Sequence, residues 1–202
     1  MGKILILNGS PRAPKSNSKR YAEIFMRHCT AETDYRNITK KNREELCAAL
    51  SGYTDVLFAF PLYADSLPVG FLNFLKALEA CPPDHKPVVS ILINCGFLEA
   101  EQSEVAIRMM RLFCRRNGYV MGSVLMLGSG EAILDTPFKY VATRNIRRLA
   151  QSMVSGRYHT LSATMPLSKY LFRLAADIYW TFYGKRFGTT RRQMQTMEVE
   201  GK

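Results

Sequence analysis

The feature that most constrains this chain is a series of short segments in which consecutive residues, not alternate ones, are apolar. KILILN at Lys3 to Asn8, DVLFAF at Asp55 to Phe60 and PVVSILI at Pro87 to Ile93 all have this character. A strand that is apolar on both sides must be covered on both faces. That requirement points to a parallel sheet with helices above and below it. Tyr119 to Leu127 reads as a fifth strand, and Thr33 to Ile38, mostly polar, as a weak edge strand.

Helical periodicity fills the gaps. Tyr21, Ile24, Phe25 and His28 recur at helical spacing between Ser18 and Cys29. Asn42 to Leu50 reads as a short helix. Pro68 suits a first helical turn, with Leu72, Leu75 and Leu78 following on one face. Glu101 to Arg116 predicts a helix with Val105, Met109, Leu112 and Phe113 inward. Phe138 to Met153 predicts another, with Arg144, Arg147 and Arg148 outward. Five strand–helix alternations imply right-handed crossovers and an α/β three-layer sandwich. The natural strand order is 2-1-3-4-5, with the polar second strand at one edge. Residues 1–155 form this domain and 156–202 a helical extension, on the same domain or at a dimer contact.

In such sheets ligands bind beyond the carboxyl ends of the strands, where the strand order reverses. Three loops therefore matter. The first, Gly9 to Ser18, reads GSPRAPKSNS. Ser10, Ser16 and Ser18 offer hydroxyls, Asn17 an amide and Arg12 a charged fork of donors. A helix N-terminus adds free N–H groups and a positive dipole end. This set suits a phosphate monoester, although the same residues also serve as ordinary helix caps. The loop lacks both G-x-x-x-x-G-K-[ST] and G-x-G-x-x-G, which argues against a nucleoside-triphosphate loop and a dinucleotide fingerprint. Gly128-Ser129-Gly130, after the fifth strand, reads as a flexible turn.

The second loop runs from Pro61 to Pro68. Two prolines stiffen a segment carrying Leu62 and Tyr63, a wall against which a flat heteroaromatic ligand could rest. The third is Asn94-Cys95-Gly96-Phe97. Gly96 permits close backbone approach, Phe97 could shield a ring edge, and Cys95 is either reactive or a small side chain in a tight loop.

Taken together, ILILNGSPR followed by SNS, and then FAFPLYADSLPVGFLNFLKAL, resemble the NADPH-dependent FMN reductase family of flavodoxin-like proteins. The resemblance runs from about Met1 to about Ser155. It implies FMN as cofactor and NAD(P)H as co-substrate. Ser10, Arg12, Ser16, Asn17 and Ser18 would then hold the FMN phosphate, and Pro61, Leu62 and Tyr63 would line the isoalloxazine. Asn94, Cys95, Gly96 and Phe97 would complete the far side. The flavin does the redox chemistry, so no acid–base side chain is singled out as catalytic. Backbone N–H groups of Leu62 to Ala64 and Cys95 to Phe97 are candidate hydrogen bonds to the ring. The implied activity is ping-pong reduction of a small aromatic acceptor: a quinone, a nitro or azo compound, or free flavin. An electron carrier docking a protein partner and a non-redox module using a basic surface are the alternatives.

Charge bears on those alternatives. The chain carries 28 Lys and Arg against 17 Asp and Glu, a net charge of +11. Such a surface attracts anionic ligands, acidic proteins, nucleic acid or anionic lipid, but no nucleic-acid motif is recognisable. The five cysteines form no C-x-x-C pair and the three histidines are scattered, so no metal site or disulfide framework is expected. With neither a targeting peptide nor about 18 uncharged apolar residues in a row, the expected location is the cytoplasm.

The carboxy-terminal segment has its own pattern. Leu167, Tyr170, Leu171, Leu174, Ala175, Ile178, Tyr179 and Phe182 form a helical stripe. Lys185, Arg186, Arg191 and Arg192 follow it. Three placements are open: on its own domain, on a second subunit of a homodimer, or as a peripheral contact of residues 165–192 with an anionic membrane surface. The tail ending in EVEGK is expected to be mobile.

Overall fold

The computed structural model describes residues 2–196. Their order is β1 (Lys3–Asn8), α1 (Asn17–His28), β2 (Glu32–Asn37), α2 (Arg43–Ala49), β3 (Asp55–Pro61), α3 (Val69–Ala80), β4 (Val88–Asn94), α4 (Glu104–Arg116), β5 (Met121–Leu127), α5 (Lys139–Ser155), β6 (Thr160–Ala163), α6 (Lys169–Arg186) and α7 (Arg191–Met194). The expected tail at 197–202 lies outside the described residues. Two compact units result, Met1–Met165 and Pro166–Lys202.

The first unit holds one sheet in the order β2-β1-β3-β4-β5-β6, and every pairing is parallel. The five expected strands take their expected order. The sixth is a difference: β6 pairs with β5 from Val124↔Thr160 to Leu127↔Ala163. It is only TLSA and half exposed, so it carries no apolar run. It also extends the sheet into the stretch that the sequence assigned to the extension.

The double burial has a direct structural cause. Leu5, Leu7, Val56, Phe58, Phe60, Ile91 and Ile93 face a core cluster shared with Leu46 of α2, Phe71 and Phe74 of α3, and Ile107 and Met110 of α4. Ile4, Ile6, Leu57, Leu92 and Leu125 are buried outside that cluster, where α1 packs beside α5. The edge strand β2 is kept polar, and Lys3 bridges Glu32 and Asp34, at 3.0 Å each.

One helix is rotated from the expected face: Met109 and Phe113 pack against the core as expected, but they are only partly buried. In α4 the buried residues are Ala106, Ile107, Met110 and Cys114, while Val105 and Leu112 are exposed. Both stripes are apolar at helical spacing, and the one with smaller side chains lies against the sheet.

The second unit, taken by itself, is α6 and α7. Ser168 caps α6 by accepting from the Leu171 N–H, and Thr190 with Gln193 forms a capping box on α7. No residue of α6 is buried. Its rings contact one another: Tyr179 with Trp180 at 5.2 Å, Trp180 with Tyr183 at 5.6 Å and Tyr183 with Phe187 at 5.1 Å between centroids. Among the described residues no helix is long and apolar enough to cross a membrane.

Candidate functional site

β1, β3 and β4 lie side by side, so the loops that leave their carboxyl ends converge. Between them is a cavity of about 500 Å³, within the usual range for small-molecule sites. It is lined by Ser10, Arg12, Ser16, Asn17 and Ser18 of the first loop, Pro61, Leu62 and Tyr63 of the second, and Asn94, Cys95 and Gly96 of the third. Phe97 is not in this lining and is half exposed. Lys15, Lys19, Arg20 and Glu131 also line it, none of them a site residue expected from the sequence.

The first loop is built on Asn8, the buried last residue of β1. Its side-chain amide donates to Ser16 Oγ (3.2 Å), Tyr35 Oη (2.9 Å) and Asn37 Oδ1 (3.2 Å), and its Oδ1 accepts from the Ser10 N–H (2.9 Å). Gly9 is needed at the turn because a Cβ there would lie 3.0 Å from Phe71 Cβ and Cγ. Ser16 is the N-cap of α1, its Oγ accepting from the Lys19 N–H at 3.2 Å. That oxygen also accepts from Asn8, so the hydroxyl proton remains to be donated into the cavity. The N–H groups of Asn17 and Ser18 have no partner within the helix and complete an anion-binding turn.

Three of the expected phosphate contacts are already engaged. Ser18 is buried and donates to Asn94 Oδ1 at 3.0 Å, which joins the first loop to the third. Asn17 Nδ2 donates to the Glu131 carbonyl (3.0 Å) and to Glu131 Oε2 (3.3 Å). Arg12 reaches Glu131 Oε1 at 3.5 Å.

The second loop is a tight turn. The N–H of Tyr63 donates to the Ser66 carbonyl and the N–H of Ser66 to that of Tyr63, at 3.0 and 3.1 Å. Ala64 (φ 46°) and Asp65 (φ 55°) are both left-handed, which presents Tyr63 outward. Asp tolerates that region and Ala does not. Ala64→Gly is therefore expected to stabilise the protein by about 1 kcal/mol. A thermal melt should show a rise of about 2–4 °C; an equal or lower midpoint would contradict the turn.

The ring donors proposed from sequence divide unevenly. The N–H of Leu62 bonds Asn94 O, that of Tyr63 bonds Ser66 O, and that of Cys95 bonds Leu127 O. The N–H groups of Ala64, Gly96 and Phe97 remain. Cys95 is buried, its Sγ facing the Phe97 and Glu99 carbonyls, and burial pushes its thiol up. It is a packed thiol, not a poised thiolate.

The turn after β5, expected from the sequence to be merely flexible, contributes Glu131 to the cavity lining. A Cβ on Gly130 would lie 2.8 Å from Asn94 Cβ. The buried Tyr21 hydroxyl donates to the Gly130 carbonyl at 2.7 Å, and burial raises its phenol so that it keeps its proton. Beyond it, Arg20 forms a two-pronged contact with Asp135, at 2.6 and 2.9 Å, and also donates to Asn17 Oδ1 at 3.1 Å. Arg20 holds the Asp135 carboxyl below its ordinary value. A carboxylate lowered in the folded state adds stability above its unfolded value of about 3.9, and that stability is lost as pH falls through the folded value. Asp135→Asn should melt below wild type at neutral pH, with the gap closing as pH falls below the ordinary carboxylate range. A gap that is the same at every pH would contradict the ion pair.

Solved structures share this fold. No protein-family model matches the sequence, and no curated protein matches it. An NAD(P)H:quinone oxidoreductase from Methanothermobacter marburgensis superposes with a TM-score of 0.58 at 12% identity, covering 76% of this chain and 97% of its own. A Streptococcus pneumonia flavodoxin gives 0.56 at 14%, covering 76% and 99%. An FMN-dependent NADH-azoreductase from Bacillus anthracis, solved with FMN, gives 0.55 at 12%, also covering 76% and 99%. The fold is flavodoxin-like. At these identities the likeness concerns the backbone; the side chains of the cavity carry the chemical argument.

Proposed function

We propose that the cavity binds FMN and that the protein is an NAD(P)H-dependent oxidoreductase that reduces small aromatic acceptors. The observation that carries this reading is the polarity of the cavity. The first loop brings the Ser16 hydroxyl, Arg12 and the free N–H groups of α1 to it. The second brings Pro61, Leu62 and Tyr63. A ligand with a phosphate at one end and a flat apolar ring at the other fits that sequence of surfaces, and FMN is such a ligand. When bound, it supplies two-electron transfer between a nicotinamide and an acceptor.

The chain's own residues bind, orient and shield. Arg12 and Ser16 take the phosphate. Asn94, held by Ser18, fixes the third loop against the second through the Leu62 N–H. Tyr63, 57% exposed, offers a ring face at the open side. No obligatory acid or base is assigned: Cys95 is a buried, protonated thiol, and the Tyr21 hydroxyl is spent on the Gly130 carbonyl. The positive rim of Lys15, Lys19 and Arg20 favours the phosphates of NAD(P)H. The structural neighbours include proteins described as NAD(P)H:quinone oxidoreductase and FMN-dependent NADH-azoreductase, which supports the same class of acceptor. The reading extends to a cytoplasmic homodimer with α6 at the contact, since the rings of α6 are exposed; sedimentation should then report twice the monomer mass.

Steady-state kinetics test the activity. FMN-loaded protein given NADPH and a quinone should consume both, with parallel double-reciprocal lines as the quinone is varied. NADPH oxidation no faster than with free FMN would contradict the enzyme. Bound FMN without NADPH consumption would favour an electron carrier.

A further inference from the structure

The residues best placed to take an anion already hold one, and it belongs to the protein. Glu131 reaches across from the turn after β5. Its Oε2 accepts from Asn17 Nδ2 at 3.3 Å and its Oε1 lies 3.5 Å from Arg12 Nη1. A phosphate dianion arriving at Arg12 and the start of α1 meets this carboxylate as a like charge and as a rival for the same donors.

We propose that Glu131 is a built-in competitor for the flavin phosphate, so that FMN is held as an exchangeable ligand and not as a permanent prosthetic group. This rests on the FMN reading above. The backbone under Glu131 is fixed: Tyr21 anchors the Gly130 carbonyl, Gly130 is packed on Asn94, and Asn17 holds the Glu131 carbonyl itself. The side chain is free to leave, being 38% exposed and held by one long hydrogen bond and one loose ion pair. Displacement of the carboxylate by a phosphate therefore needs only rotation of side-chain torsions. Free of flavin, the carboxylate neutralises part of the Arg12, Lys15 and Lys19 field. With FMN bound, it stands next to a dianion and weakens its hold. The competition acts on the phosphate end, because the polar contacts of the Glu131 carboxylate are with Arg12 and Asn17.

That selectivity defines the experiment. Dissociation constants for FMN and riboflavin, which lacks the phosphate, are measured by flavin fluorescence quenching for the full chain and for Glu131→Gln. Glutamine keeps the size of the side chain and an acceptor for Asn17 while removing the charge. FMN should bind about tenfold tighter or more to Glu131→Gln and dissociate correspondingly more slowly. Riboflavin should change by less than about twofold. Equal or weaker FMN binding by the variant overturns the proposal, as does an equal gain for riboflavin. If the wild-type chain binds neither flavin, the FMN reading itself falls and takes the competitor role with it, a result distinct from an unchanged FMN constant.

Discussion

Truncating Phe71 to alanine is expected to cost about 3–5 kcal/mol of stability. Phe71 is fully buried and is the centre of an aromatic cluster, 5.1 Å from Phe58 and 4.6 Å from Phe60 between centroids. Those two partners lie on β3, so Phe71 is the contact that seats α3 on the sheet. Truncation removes the buried ring and leaves a void that the flanking strands, hydrogen-bonded on both sides, cannot close. Against a total stability of about 5–15 kcal/mol the loss is severe. The effect should also reach the site, because Phe71 is the surface on which Gly9 turns. Urea unfolding should show a much lower midpoint, and flavin binding should weaken in protein that remains folded. A loss under about 1 kcal/mol would mean that α3 is not seated in this way.

The second large effect is expected at Asn8. Its four hydrogen bonds connect β1, β2 and both ends of the first loop. Asn8→Ala orphans the buried Ser10 N–H and frees Ser16, at a cost of about 2–3 kcal/mol. FMN affinity should fall by about tenfold or more, since the donors are no longer held in place. Asn8→Asp separates order from charge. It keeps the acceptor for Ser10 but places a carboxylate behind the phosphate turn, so its FMN affinity should be lower still while riboflavin binding follows that of Asn8→Ala. Identical loss of both flavins in both variants would mean that Asn8 acts on overall stability and not on the turn.

These two residues also show how much a reader of the sequence could see. The five principal strands were legible because double burial forces consecutive apolar residues, and KILILN or DVLFAF has few other uses. The three loops followed from topology once those strands were placed. Asn8 was overlooked because an asparagine at a strand end looks like the start of a turn; its importance lies in Tyr35 and Asn37 of β2, which only the parallel register β1↔β2 brings alongside. Glu131 left no signal at all: it meets Arg12 through a contact 119 positions apart in sequence, from a turn whose glycines suggested mere flexibility. β6 escaped because four half-exposed residues cannot carry a pattern. In α4 two apolar stripes lie side by side, and the fully buried one is Ala106, Ile107, Met110 and Cys114, with Met109 and Phe113 at its edge. Phe97 was chosen as a ring in a site loop, yet its side chain lies off the cavity.

The central claim, that FMN binds with its phosphate on the first loop, is tested most directly by titrating FMN into the purified chain and into an Arg12→Ala, Ser16→Ala variant while recording the flavin bands near roughly 370 and 450 nm. The account predicts saturable band shifts with wild-type protein, an affinity lower by about 100-fold in the variant, and riboflavin binding that is alike in both. No FMN uptake by the wild-type chain, or a variant that binds FMN as tightly as wild type, would contradict it.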